Sequence, residues 1–130
     1  MALPIQLGAA IHSAAQPSLV TSMEAQILVY VSPIGDPVRA DGFDIGMELQ
    51  TGAKLNQSDY YYFFVYNSKR ESHGSNTVGY VAVNKRTADV WDTDLNKRLT
   101  SKVLVGVQET IRQSHAIDTA TIEKYRGKPF

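Results

Sequence analysis

The stretch Tyr60-Tyr61-Tyr62-Phe63-Phe64-Val65-Tyr66 constrains the fold more than any other part of the chain. Its residues are aromatic or β-branched, the types whose bulk suits a pleated strand, and bulky side chains fall on both alternating sets of positions. Such a strand must be covered on both faces or line a cavity on one, which predicts a central strand. After a polar loop, Asn67 to Asn76, the chain resumes with Thr77-Val78-Gly79-Tyr80-Val81-Ala82-Val83. It turns through Asn84-Lys85-Arg86-Thr87 and continues with Ala88-Asp89-Val90-Trp91. Two β-rich runs around a short polar turn predict a tight antiparallel hairpin.

Around this centre the other elements follow from periodicity. Phe43 to Gln50 alternates apolar and non-apolar residues, the pattern of a strand with one buried face. Ile45, Leu49 and Ala53 also fall at spacing four, so a helix there remains an alternative. The run from Ser18 to Pro33 supports a helix with the stripe Val20, Met23, Ile27 and Val31. Its segment Ile27 to Val31 supports a buried strand equally well, and both readings stay open. Pro33 to Gly42, with Pro33, Pro37, Gly35, Gly42, Asp36 and Asp41, reads as a loop. Ser101 to His115 places Leu104, Val107 and Ile111 on one stripe, with Thr100 or Ser101 to cap it, and predicts a helix laid on the sheet. A short helix over Ile5 to Ala15, ending before Pro17, is expected at the start. Beyond Ile117 the tail has few apolar anchors, and partial mobility is expected at its end. The expected core comprises Phe63, Val81, Val83, Leu104, Val107 and Ile111.

The elements together predict an α+β fold, a curved antiparallel sheet with flanking helices. A chain of 130 residues, 43% hydrophobic, has enough length to bury a core without a staple. No repeat, charge block or low-complexity linker divides it, so residues 1–130 are read as a single domain. Absence of cysteine excludes disulfide frameworks, thiolate metal sites and thiol nucleophiles. Thirteen Lys and Arg balance 13 Asp and Glu, which argues against a surface built mainly for nucleic acid or anionic lipid. No run approaches the roughly 18 to 20 apolar residues of a membrane span. Met1 to Pro17 lacks the basic and apolar regions of a secretion signal, so the expected compartment is the cytoplasm, or the periplasm if a signal was removed.

Chemistry finds little purchase. His12, His73 and His115 are far apart and match no metal-binding spacing, so no metal or cofactor is expected. There is no nucleophile motif and no glycine-rich phosphate cradle. The available acids, Asp41, Asp44, Asp89, Asp92 and Asp94, stand where turn and capping roles are common.

What is distinctive is the aromatic strand and the mixed-charge loop Ser68-Lys69-Arg70-Glu71-Ser72-His73-Gly74-Ser75-Asn76. Tyr and Trp serve as rigid anchors with a polar tip in protein interfaces, and charged rims surround such anchors. The segment Val78 to Asp92, containing GYVAVNKRTADVWD, resembles the terminal hairpin of small α+β domains of the PepSY-like and NTF2-fold (cystatin-like) groups. In these a strand passes through a turn of the form Asn/Asp-Lys-x-Thr-Gly to a second strand and an aromatic residue, and Ala88 stands where the glycine is usual. The NTF2-fold group includes immunity proteins that neutralise bacterial toxins. The resemblance therefore implies a cystatin-like or NTF2-like fold and a non-enzymatic inhibitor with a protein partner. The expected contact residues are Arg70, Glu71 and His73, with Trp91 or a neighbouring tyrosine as apolar anchor. The alternative is a small NTF2-like enzyme or ligand-binding domain, with a pocket lined by the aromatic strand and Asp44 or Asp92 as base.

Overall fold

The computed structural model describes residues 17–68 and 76–129, and the helix expected over Ile5 to Ala15 lies outside the described residues. The aromatic run forms β2 (Tyr60–Asn67). Among the described residues it makes, with β1 (Ile45–Leu49), β3 (Thr77–Asn84), β4 (Val90–Asp92) and β5 (Lys97–Arg98), an open five-stranded antiparallel sheet in simple chain order. β2 lies inside the sheet, between β1 and β3, as its two apolar faces require.

β1 is strand and not helix, each of its five residues pairing with β2 from Asn67 to Phe63, and Gly46 lies opposite Tyr66, whose ring would overlap a Cβ at that position. Pairing sorts the sheet's side chains. Phe63, Val65, Val81, Val83 and Val90 are fully buried on one face. Tyr62, Phe64, Tyr66, Tyr80, Ala82 and Trp91 share the other.

The segment before Pro33 is helical: α1 spans Ser22–Val31. A reciprocal cap starts it, Glu24 N donating to Thr21 Oγ1 at 3.2 Å and Thr21 N to Glu24 Oε1 at 2.9 Å. Its buried face is Ala25, Leu28 and Val29, not the stripe through Met23 and Ile27, which are 72% and 47% exposed. Helical phase is set by the sheet beneath, and two nearly equivalent apolar stripes leave that choice to packing.

Pro33 to Gly42 is more ordered than its turn residues imply. A 3₁₀ turn at Pro33–Gly35 leads into α2 (Asp36–Ala40), and in each the proline stands in the first turn, where its missing N–H removes no bond. α3 (Ala53–Gln57) bridges β1 and β2.

α4 (Lys102–Ser114) begins at Ser101, whose Oγ accepts from Leu104 N at 3.1 Å. Leu104 and Ile111 join Leu28 and Val29 in the core, while Val107 is half-buried. The buried position between them belongs to Gln108, whose Nε2 donates to the Ala88 carbonyl at 2.9 Å. A buried carbonyl in the β3–β4 turn needs a donor, and a polar side chain supplies it. In that turn Asn84 Oδ1 accepts from Arg86 N at 2.8 Å and Thr87 N at 3.1 Å, and Ala88 takes a left-handed φ of 65° with its methyl buried.

The chain beyond Ile117 is more ordered through Arg126 than its few apolar anchors imply. α5 (Thr119–Tyr125) is capped by Asp118, which accepts from Thr121 N at 2.8 Å. Ile122 packs against the core, Asn84 Nδ2 donates to the Tyr125 carbonyl at 2.9 Å, and Arg126 pairs with Asp89 at 3.0 Å. Polar bonds replace the missing apolar anchors.

Candidate protein-binding face

Strand alternation sends Tyr61, Phe63 and Val65 toward the helices and leaves Tyr62, Phe64 and Tyr66 on the outer face, where no described helix covers them. Tyr80, paired with Phe64, extends this row. Phe64 lies 5.4 Å from Tyr80 and 5.7 Å from Tyr66 between ring centroids, spacings at which rings support one another. Tyr80 is 47% exposed. The register shift between Val65 and Tyr66 lies within this cluster, a bulge of the kind that re-aims side chains.

The outer face changes character along the sheet. Toward the β3–β4 turn it is closed: Trp91 is 7% exposed and packs with Tyr60 and Ala82. Tyr60 Oη donates to the Gly127 carbonyl and Tyr62 Oη to the Pro129 carbonyl, so the end of the chain lies across these rings. Trp91 Nε1 finds no hydrogen-bond partner among the described residues. The tryptophan expected as a surface anchor is therefore placed in a buried cluster. Tyr80, the neighbouring tyrosine, is the aromatic that reaches solvent.

At the other end Phe64 and Tyr66 are half-buried and Tyr80 is exposed among the described residues, and here the β2–β3 loop leaves the sheet. Arg70, Glu71 and His73 belong to that loop and lie outside the described residues. Its root is well tied. Ser68 donates to the Asp44 carbonyl through N at 2.9 Å and Oγ at 2.8 Å, and Asn67 N donates to the Asn76 carbonyl at 2.8 Å.

Beside that root stands a cluster the sequence did not announce. Tyr30 Oη donates to Asp44 Oδ2 at 2.8 Å, and Arg39 lies 4.6 Å above the Tyr30 ring, with Asp36 and Asp44 each 3.7 Å from its guanidinium. The Tyr30 hydroxyl first, and the Ile45 N–H second, hold the Asp44 carboxyl below its usual pKa, while the same bond raises the Tyr30 hydroxyl. Only residues from α1, α2 and the start of β1 brought together by folding make this group, and their sequence separation hides it. Tyr and Arg are residue types that often carry binding energy in interfaces.

Four of the acids considered for catalysis, Asp44, Asp89, Asp92 and Asp94, are engaged structurally. Asp92 Oδ1 accepts from Asp94 N at 3.0 Å and Leu95 N at 3.1 Å, a turn closure, and Asp94 Oδ2 accepts from Tyr80 N at 3.3 Å. Asp89 is saturated by Thr87, Arg112 and Arg126. Asp44, held ionised and exposed, is a weak base. His115 caps α4 and lies between Ser18 Oγ and Glu24 Oε1, 2.6 Å from each. Among the described residues no group of His, Asp and Glu is arranged to hold a metal ion, and no described helix is long and apolar enough to cross a membrane.

No family model matches the sequence, and no curated protein matches it. Among solved structures, the fold is similar to a chain of a type VI secretion system effector-immunity complex from Pseudomonas protegens. The TM-score is 0.64 over 85% of this chain and 89% of that one, at 17% sequence identity. At that identity the likeness shows the fold alone.

Proposed function

We propose that this protein is a non-enzymatic inhibitor of the immunity type, which binds a bacterial effector through the open end of its aromatic sheet face. One observation carries the reading. A row of aromatics in ring contact, with Tyr80 exposed and Phe64 and Tyr66 half-buried, stands at the root of the mixed-charge loop, where a desolvated centre would be ringed by charge. The fold shared with a chain of an effector-immunity complex supports it, as does the implication of the hairpin resemblance to NTF2-fold immunity proteins.

In this reading Tyr80 is the apolar anchor and Trp91 supports the face from its buried position. Arg70, Glu71 and His73 form the rim from the loop, and Tyr30 and Arg39 extend it on the helical side. Rim charges steer encounter, while the buried anchor sets residence time. Neutralisation follows from covering the effector's active site or its assembly surface.

The test is binding to the product of the adjacent gene, measured by calorimetry and by rescue of cells that express it. Tyr80→Ala should raise Kd by about tenfold or more, the size of a moderate hot spot. Reversing Arg70 and Glu71 should alter the association rate and its salt dependence with little change in the dissociation rate. A complex equally tight with both variants would move the interface elsewhere on the surface. No complex at all, with turnover of a small molecule lost on changing Asp44 or Asp92, would favour the enzyme alternative.

A further inference from the structure

At the opposite end of the sheet from the loop, three guanidinium groups line one cleft of about 360 Å³: Arg98 from β5, Arg112 from α4 and Arg126 from just beyond α5. One carboxylate, Asp89, shares it. Asp89 is buried, and its two oxygens accept from Thr87 Oγ1, Arg112 Nη2, and Arg126 Nε and Nη2 at 2.9 to 3.1 Å. Its acceptor capacity is spent on these four donors.

The cations are not. Arg112 uses Nε on the Thr87 carbonyl at 2.7 Å and Nη2 on Asp89. A guanidinium carries five N–H donors, so both Arg112 and Arg126 keep donors in reserve. Arg98 is exposed and forms no ion pair with any described residue. Three positive charges against Asp89 leave the lining with an excess of two, which Glu109 on α4 offsets only from outside it. Burial first, and the charges of Arg126 and Arg98 after it, lower the Arg112 pKa against the opposing pull of Asp89 and Glu109. An anion seated among the three would relieve that repulsion.

We propose that this cleft binds a phosphate group. A planar carboxylate is served by one or two guanidinium forks, as Asp89 already demonstrates. A tetrahedral dianion presents oxygens in several directions, which suits donors arriving from three separate elements, and its charge equals the excess in the lining. Leu99 and Val105 supply an apolar wall beside the arginines, and the volume exceeds what a bare phosphate needs, so an organic phosphomonoester fits the space. The site lies apart from the open aromatic end and does not rest on the partner-binding reading.

The experiment uses the full chain, with inorganic phosphate and phenyl phosphate as probes and acetate as control. Binding is followed by backbone amide shifts in NMR and by calorimetry. Arg98→Gln is the informative variant, since Arg98 holds no other described group in place. Saturable phosphate binding is expected, with shifts at Arg98, Gln108 and Arg112, weakened by about tenfold in the variant while the melting temperature without ligand stays unchanged. Tighter binding of phenyl phosphate would identify a phosphomonoester as occupant, and equal binding would identify free phosphate. Absence of saturation, equal affinity in Arg98→Gln, or acetate binding as well as phosphate would overturn the assignment.

Discussion

Arg126 grips Asp89 through both carboxylate oxygens, Nε standing 3.0 Å from Oδ2 and Nη2 3.1 Å from Oδ1, and so fastens the chain beyond the last helix to the β3–β4 turn. Arg112 reaches the same carboxylate from α4. One acid thereby joins a helix, a turn and the C-terminal segment.

Asp89→Ala should therefore destabilise the fold by about 3 kcal/mol, because it leaves two guanidinium groups without their counter-charge, Arg112 among them largely buried. Arg126→Ala should cost only about 1 kcal/mol, since that side chain is 39% exposed and Arg112 still serves the carboxylate. Urea denaturation of both variants checks the order. If the two cost the same, Arg112 does not stabilise Asp89 as described.

Glu24 makes stability depend on pH. Its Oε1 lies 2.9 Å from Thr21 N and 2.6 Å from His115 Nε2. Burial alone would raise its pKa, but the Thr21 and His115 hydrogen bonds outweigh burial, and the value falls below the ordinary 4.5. A carboxyl depressed in the folded state adds stability above its unfolded pKa and loses it as pH falls through the folded one. Glu24→Gln should thus be less stable than the unaltered protein at neutral pH, with the gap closing in acid. Thermal melts at stepped pH measure it, and a gap that persists at the lowest pH would assign the effect to packing instead of charge.

Adjacent positions on α4 should behave oppositely. Leu104→Ala empties a fully buried site and should cost roughly 2 to 5 kcal/mol. Val103→Ala, at a side chain 63% exposed, should stay within about 0.5 kcal/mol. Similar losses at both would mean that the helix packs in a different phase.

Gly46→Ala offers a way to disturb the aromatic face from beneath. The new methyl would stand 2.4 Å from the Tyr66 ring, which must swing away and so leave its stack on Phe64. Overpacking of this kind costs about 1 to 3 kcal/mol. The near-ultraviolet dichroism should change while the far-ultraviolet spectrum stays. An unaltered near-ultraviolet signal would show that Tyr66 does not rest on Gly46 in solution.

The elements whose local signals agree were legible in the sequence. Tyr60 to Tyr66, the hairpin from Thr77 to Trp91 and the helix after Ser101 each combine side-chain bulk, periodicity and a turn or cap within a few residues, and each forms, although the second hairpin strand begins at Val90 and not at Ala88, whose left-handed backbone belongs to the turn. The phase of a helix is a different matter. Met23 and Ile27 are apolar yet exposed, and Gln108 is polar yet buried, because the sheet and the Ala88 carbonyl decide which stripe turns inward.

The candidate binding face divides in the same way. Its aromatic strand was visible as composition, but which of its rings reach solvent was not. Trp91 is buried because it packs with Tyr60 and Ala82, whereas Tyr80, further along the same face, is 47% exposed. The Tyr30–Arg39–Asp44 cluster and the three arginines around Asp89 left no trace in local pattern. Their members sit on separate elements, and a charge's environment is set by what folds against it. By itself the sequence determined the aromatic strand, the hairpin that follows it, the helix after Ser101 and the sheet-plus-helix class, since backbone preference acts over neighbouring residues; β1 stayed open between strand and helix, and β5 had no local signal. Tertiary structure alone decided exposure, helical phase and the meeting of distant charges, since those depend on contacts the chain makes only once folded.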